Sequence, residues 1–289
     1  MSAVTRVVTT RPALAAAYSE VASGAPRAVV PTMGALHEGH AHLIREARDR
    51  VGDDGHVTVT VFVNPTQFAA SDDLDRYPRS LESDAQLCAE AGADLVFAPA
   101  AQVIYPDGAT LITVDPGTLG SVLEGAIRPG HFRGVLTVVA KLIHLTGAGL
   151  ALFGEKDYQQ LVLVRQMVRD LSFPVEIIGV PTVRDSDGLA LSSRNAYLAP
   201  ADRARAVVVP RALAVGTELA LAGATARDIV VGVNDFLDDQ SEVSTDYAIV
   251  TDPELGPAPR EGAARLLVAV QVGGVRLLDN VAITLAGGS

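Results

Sequence analysis

The segment PTMGALHEGHAH, residues 31–42, holds three of the chain's six histidines. It follows a short apolar run, residues 28–30, and opens a stretch with helical periodicity, so it sits at the carboxyl end of a strand and the amino end of a helix. In a parallel sheet that edge is where ligands bind, and the first N–H groups of a helix lack partners within it, which favours an anion. Gly34 and Gly39 let the backbone come close to a ligand. His37 and His40, three residues apart, would set two imidazoles beside the crevice as donors to phosphate oxygens on which charge develops. The same residues are compatible with a surface helix start that is simply rich in histidine. A zinc cluster built from His37, His40 and His42 with Glu38 is disfavoured. The order is not His-Glu-x-x-His, which would put two imidazoles on one helical face, and no cysteine or carboxylate pattern completes it.

Three more segments carry chemistry. In VNPTQF, residues 63–68, the neutral amides of Asn64 and Gln67 suit a hydroxyl or carboxylate without burying a charge, and Pro65 would fix the turn that aims them. They equally suit a strand-ending turn whose amides satisfy their own backbone. FGEKDYQQ, residues 153–160, contains one of only two lysines among 23 basic residues, so a generic surface cation in this chain is an arginine. Lys156 offers the compact charge that neutralises a phosphate in a pentavalent transition state. Asp157 could accept from a ribose hydroxyl, and Gln160, one helical turn past Lys156, faces the same pocket; the alternative is an exposed, charged helix start. The other lysine, Lys141, falls midway along a helical stretch and reads as structural. Finally RDSDGLALSSRN, residues 184–195, combines a glycine, paired serines and an arginine, either as a clamp for the outer phosphates of a nucleotide or as a solvated linker.

The elements that must position these residues follow from the apolar pattern. Strands are expected at residues 28–30, 57–63, 95–98, 150–153 and 175–180, alternating with helical stretches. Leu43, Ile44, Ala47 and Val51 share one helical face, as do Leu161, Val164, Val168 and Leu171. This is the signature of a doubly wound α/β domain with a parallel sheet. Beyond it the pattern gives helices at 201–221, interrupted near Pro210, and 225–237, then strands at 247–250, 265–272 and 276–285 with a tight hairpin at Gly273-Gly274. A domain of residues 1–183 and a smaller α+β domain of residues 184–289 are therefore expected.

Composition narrows the function. With 289 residues, 48% of them hydrophobic, the chain can bury a sizeable core. A formal charge of -11 argues against nucleic acid as a partner, because a phosphate backbone needs a basic face. No run reaches the roughly 18 apolar residues of a membrane helix, and the first thirty residues do not read as an export signal. Cys88 is the single cysteine, which excludes an intrachain disulfide and fits a cytoplasmic protein.

Together with LEGAIRPGHFRGVLTVVAKL, residues 123–142, these segments resemble the ordered signature of the pantothenate synthetase family, the pantoate and β-alanine ligases. The resemblance spans nearly the whole chain. It implies a Rossmann-like nucleotidyltransferase with a HIGH-type motif, here His37-Glu38-Gly39-His40, and a C-terminal domain that closes over the site. It also implies a homodimer using Mg²⁺ with ATP, a pantoyl-adenylate intermediate, and release of pyrophosphate and then AMP as β-alanine is joined. Carried over by position, Pro31, Thr32, Met33, Gly34, Ala35, Leu36, Glu38 and Gly39 contact ATP, with His40 as proton donor and His37 beside it on the phosphates. Gln67 and Gln160 contact pantoate, Asn64 sits with Gln67, and Tyr77 lies near the closing loop. Gly154, Glu155, Lys156 and Asp157 form the nucleotide loop, Val183 touches the adenine side, and Leu191, Ser192, Ser193 and Arg194 clamp the phosphates. Asp84 matches a metal–phosphate region, although Ser83 stands where an acidic residue is common, which weakens that role. Leu191 replaces the usual methionine at similar volume. A synthetase fragment acting on tRNA, an ADP-forming ligase and a non-catalytic nucleotide binder are the rival classes; the nucleotide product and carboxylate-dependent pyrophosphate exchange separate them.

Overall fold

Each crossover between parallel strands must return the chain to the same end of the sheet, so the alternating runs of the first part dictate layered β and α elements. The computed structural model describes residues 5–68, 80–108 and 110–287. The chain forms two compact units, one of residues 1–155 and 163–181, the other of residues 156–162 and 182–289.

The elements of the first part are β1 (Arg6–Val8), α1 (Arg11–Ser19), β2 (Arg27–Thr32), α2 (Glu38–Val51), β3 (His56–Val61), α3 (Leu81–Ala91), β4 (Leu95–Phe97), α4 (Ala101–Ile104), α5 (Glu124–Ile127), α6 (His131–Thr146), β5 (Leu150–Gly154), α7 (Tyr158–Asp170) and β6 (Glu176–Val180). The sheet is six-stranded, in the order β1-β4-β3-β2-β5-β6, and all neighbours run parallel. From β2 the chain winds through β3 and β4 toward one edge and later through β5 and β6 toward the other. The reversal falls between β2 and β5, so the carboxyl ends of those strands flank the topological switch point of a Rossmann-like sheet. The strand β1 was not foreseen; at three residues on the sheet edge it leaves no alternation to read.

Leu43, Ile44, Ala47 and Val51 form the buried stripe of α2 and pack with Val57, Val59 and Val96 of the sheet. Ile44 is wholly buried, and such a side chain contributes about 1.5–3 kcal/mol. The expected face of α7 is corrected at its end: Leu161 and Val164 are buried, but Leu171 is 55% exposed because the helix stops at Asp170.

At the opposite end of β3 lies a titratable cluster. The His56 ring meets Tyr18 edge-on at 5.4 Å, Tyr18 shares a 2.8 Å hydrogen bond with Thr58, and Arg27 lies over the Tyr18 ring. Burial, aided by Arg27 and Arg48 and opposed by Asp94, holds the His56 pKa below its ordinary 6.5. The fold therefore favours neutral His56, and unfolding takes up a proton once the pH drops below that ordinary value. Stability from this site is complete above pH 6.5 and is lost as the pH falls toward the folded-state pKa. Thermal midpoints measured across this range should fall less steeply for His56→Gln than for the unaltered chain; parallel slopes would contradict the assignment.

The second part of the chain comprises α8 (Pro200–Arg205), α9 (Val208–Leu221), α10 (Ala226–Asp238), β7 (Val243–Thr251), β8 (Gly262–Val272) and β9 (Val275–Leu285). The three strands form an antiparallel meander with β8 in the centre. Gly273 and Gly274, with φ of 56° and 76°, make the two-residue turn that pairs Val272 with Val275, a backbone region that glycine enters without strain. Leu266, Val268, Val270 and Val272 share a core with Leu213, Ile229 and Val233 of the helices. The helical stretch is interrupted near Pro210, as expected. The break falls at Ala206 and Val207, and Pro210 occupies the first turn of α9, where its missing N–H would have no intrahelical partner anyway. Among the described residues no helix is long and apolar enough to cross a membrane.

Candidate functional site

In the first unit, β2 ends at Thr32, whose hydroxyl donates to the Thr60 carbonyl at 2.7 Å and accepts from the Gly34 N–H at 3.3 Å. The backbone then turns through the left-handed region at Gly34 (φ 89°) and Ala35 (φ 52°). For a residue with a Cβ this conformation costs about 1–2 kcal/mol. The carboxylate of Asp84, from the first turn of α3, holds the turn: it accepts from Ala35 N at 3.1 Å and Leu36 N at 2.8 Å. Burial raises the Asp84 pKa above its ordinary value, with the two backbone bonds acting in the other direction.

His37 then caps α2, and His40 completes a reciprocal capping box. His37 Nδ1 accepts from Gly39 N at 3.1 Å, and His40 Nδ1 accepts from His37 N at 3.3 Å. An amide N–H can be received only by an unprotonated nitrogen, so this network assigns the proton of each neutral ring to Nε2. The rings stand 4.1 Å apart between centroids. The box that Ser and Glu commonly form is here made of two imidazoles.

The turn after β3 is built with equal care. Asn64 Oδ1 accepts from Thr66 N, Thr66 Oγ1 and, at 2.8 Å, the Tyr105 hydroxyl; its Nδ2 donates to Gln67 Oε1 at 3.1 Å and to the Gly134 carbonyl at 3.2 Å. Asn64 is 1% exposed, and its bonds bracket the turn and hold the Gln67 side chain beside it. Gln67 Nε2 in turn reaches Met33 Sδ at 3.0 Å, which ties this turn to the one after β2. The Gln67 carbonyl receives His131 Nδ1 at 2.9 Å and Arg128 at 3.4 Å. Lys141 is structural as expected, its ammonium 5.4 Å above the Tyr105 ring. Gly154 ends β5 and Glu155 opens the turn that follows, both half-buried.

The second unit holds Lys156, 20% exposed in its side chain and 3.4 Å from Asp157. Its carbonyl accepts from Asn280 Nδ2 at 3.0 Å, Asn280 Oδ1 accepts from Arg265 Nε at 2.7 Å, and Arg265 stacks 3.9 Å over Tyr158. Gln160 is half-buried in the first turn of α7. The segment 183–195 is a folded loop, not a solvated linker. Leu191 N donates to the Val183 carbonyl, Arg184 pairs with Asp279 through both guanidinium nitrogens, and Asn195 Nδ2 donates to the Ala190 carbonyl. Ser192 Oγ accepts from Arg194 N and so caps the turn that carries Ser193 and Arg194. Arg203 grips Asp185 and Asp187; the Ser186 N–H together with Arg203 holds the Asp185 carboxyl below its ordinary pKa, and the Arg203 bond does the same for Asp187.

Thus in the first unit Met33, Gln67 and Asn64 are joined by side-chain bonds, His40 bonds His37, and Asp84 holds the Ala35 and Leu36 backbone that lies between Met33 and His37 in the chain, while Lys156 and the 183–195 loop belong to the second. Tyr77 lies outside the described residues. Sequence reading passed over Tyr105, Arg128, His131, Arg265, Asp279 and Asn280. The last three carried a signal, since a charge or amide in the middle of an apolar strand is either bonded or costly. Among the described residues, no group of three or more His, Cys, Asp or Glu side chains is placed to hold a metal ion.

A family model described as pantoate-beta-alanine ligase matches residues 6–282. The chain is 54% identical over 271 residues to a pantothenate synthetase of Nocardioides sp., covering 91% of this chain and 80% of that one. It superposes on a crystal structure of pantothenate synthetase from Thermus thermophilus with a TM-score of 0.89 at 46% identity, over 96% of this chain and 99% of the other. A third relative is the pantoate-beta-alanine ligase of Francisella tularensis, whose crystal structure is complexed with beta-gamma ATP and beta-alanine; it gives a TM-score of 0.79 at 33% identity, over 96% and 97% of the two chains.

Proposed function

The chain belongs to the pantoate-beta-alanine ligase family, and from that premise we propose that it joins pantoate to β-alanine at the expense of ATP, through a pantoyl adenylate. A carboxylate is a poor acyl donor, because it lacks a good leaving group, so it is first activated. A pantoate oxygen attacks the α-phosphorus, the bond from that phosphorus to the bridging oxygen breaks, and pyrophosphate leaves. The β-alanine amine then attacks the acyl carbon, the carbon–oxygen bond to AMP breaks, and the amine gives up a proton as the amide forms.

In this reading residues 31–40 bind ATP, and His37 and His40 donate from Nε2 to the phosphates as charge builds. The observation that supports it best is the pair of capping bonds that fixes both imidazoles in the Nε2–H form at the amino end of α2. Gln67 and Gln160 serve pantoate, and Asn64 sits with Gln67. Gly154, Glu155, Lys156, Asp157, Val183, Leu191, Ser192, Ser193 and Arg194 serve the nucleotide. Among the described residues no set of His, Cys, Asp or Glu side chains makes a cage for Mg²⁺, and the ion is assigned to the substrate as Mg·ATP. The HIGH-motif domain of residues 1–183, a smaller lid of residues 184–289, a homodimeric state and a cytoplasmic location complete the proposal.

The test is ATP–pyrophosphate exchange with and without pantoate, followed by identification of the nucleotide released on adding β-alanine. Pantoate-dependent exchange with AMP as product is expected. ADP as product, or exchange indifferent to pantoate, refutes the reading.

A further inference from the structure

We propose that Asp84 is a positioning residue for adenylation, a carboxylate clamp that sets residues 34–36 in their ligand-facing shape and takes no metal; this rests on the ligase reading above. Its two oxygens each accept a different, consecutive amide, Oδ2 from Ala35 and Oδ1 from Leu36. The turn needs such an outside partner. Gly34 and Ala35 both lie in the left-handed region, and strained backbone of this kind persists only where its surroundings over-determine it.

The clamp also sits tight against the turn. A Cβ on Gly34 would lie 3.0 Å from Asp84 Oδ2 and 3.1 Å from Val61 Cγ1, so position 34 accepts little beyond glycine. Asp84 itself is 2% exposed. Mg²⁺ demands near-octahedral oxygen ligands and retains several waters, and a carboxylate sealed under two backbone amides offers neither room nor a suitable face. Two consequences follow for recognition. The Ala35 and Leu36 amides are committed inward and do not serve a phosphate, so that task passes to the His37 and His40 rings and the amino end of α2. The direction of those rings is inherited from the turn, and hence from a residue 49 positions away in the chain from Ala35.

The test is Asp84→Asn, nearly identical in shape, which keeps one acceptor but turns an NH₂ donor toward the other amide. Three measurements decide it: KM and kcat for Mg·ATP in pantoate-dependent exchange, the Mg²⁺ concentration for half-maximal rate at fixed ATP, and hydrogen exchange of amides 34–37 in the ligand-free protein. We expect KM for Mg·ATP to rise by about tenfold or more with a smaller change in kcat, no change in the Mg²⁺ requirement, and faster amide exchange. A raised Mg²⁺ requirement with KM and amide exchange unaltered overturns the proposal in favour of a metal ligand. If the unaltered chain itself shows no pantoate-dependent exchange, the ligase reading falls. The clamp is then judged by amide exchange alone, where unchanged protection in Asp84→Asn overturns it and faster exchange upholds it.

Discussion

Lys156→Ala is expected to lower pantoate-dependent pyrophosphate exchange by about 10² to 10³, the usual consequence of losing one well-placed donor to a transferring group. Stability should hardly move. The ammonium's ion pair with Asp157 joins adjacent, partly exposed side chains and contributes little. What anchors this residue is its carbonyl, which accepts from Asn280 whatever the side chain. Lys156→Arg is not expected to rescue the rate, because a planar fork cannot stand where a compact charge on a flexible stem is needed.

His40→Ala should show a similar loss but is harder to interpret, since it also removes the acceptor for His37 N and so costs about 1 kcal/mol of helix capping. His37→Asn separates the two roles. An asparagine oxygen can take over the bond from Gly39 N, so the cap survives while the Nε2–H donor is gone. Near-normal exchange in His37→Asn, in a protein that melts normally, would mean that the ring acts only as a cap. Near-normal exchange in Lys156→Ala would remove the main positive charge from the proposed mechanism.

Much of this arrangement is legible in the sequence for a definite reason. A parallel sheet buried on both faces needs uninterrupted β-branched runs, and Val29, Val30, Val57 and Val59 supply them, so the strands and the loops at their ends could be placed to within two residues or so. The histidine pair was visible because its spacing and its position after a strand agree. What stayed hidden is contact between segments remote in the chain. The order of residues does not show that Asn64 bonds Tyr105 and the Gly134 carbonyl. Nor does it show that the two oxygens of Asp84 accept from the amides of Ala35 and Leu36. Short polar side chains have the same appearance in a sequence whether they face a ligand or a backbone, and only the fold decides between them.

Gly134→Ala tests how much the turn that carries Gln67, proposed to contact pantoate, depends on that packing. In an ordinary helix interior the change would stabilise, because alanine is favoured over glycine by about 1 kcal/mol. Here Gly134 lies in α6, and a Cβ would stand 2.3 Å from the Thr66 carbonyl oxygen and 2.7 Å from Gln67 N. Both neighbours are backbone, so neither can swing aside as a side chain does. Relief requires the 65–67 turn to move by about 1 Å, and a displacement of that size at a positioning residue costs about 10²-fold in rate. Overpacking of about 1–3 kcal/mol therefore outweighs the gain in helix propensity, and the melting temperature should fall together with kcat/KM for pantoate. Gly149→Ala is the control: that residue is exposed, and a Cβ there would meet nothing nearer than Arg27 O at 4.0 Å. The KM for Mg·ATP should rise less than that for pantoate, since the displaced residue is Gln67 while the Asp84-held turn is tied to it through the single flexible side chain of Met33. A Gly134→Ala protein that melts at or above the unaltered chain and keeps its pantoate kinetics would show that Gln67 is not held by α6 and that its aim is set elsewhere.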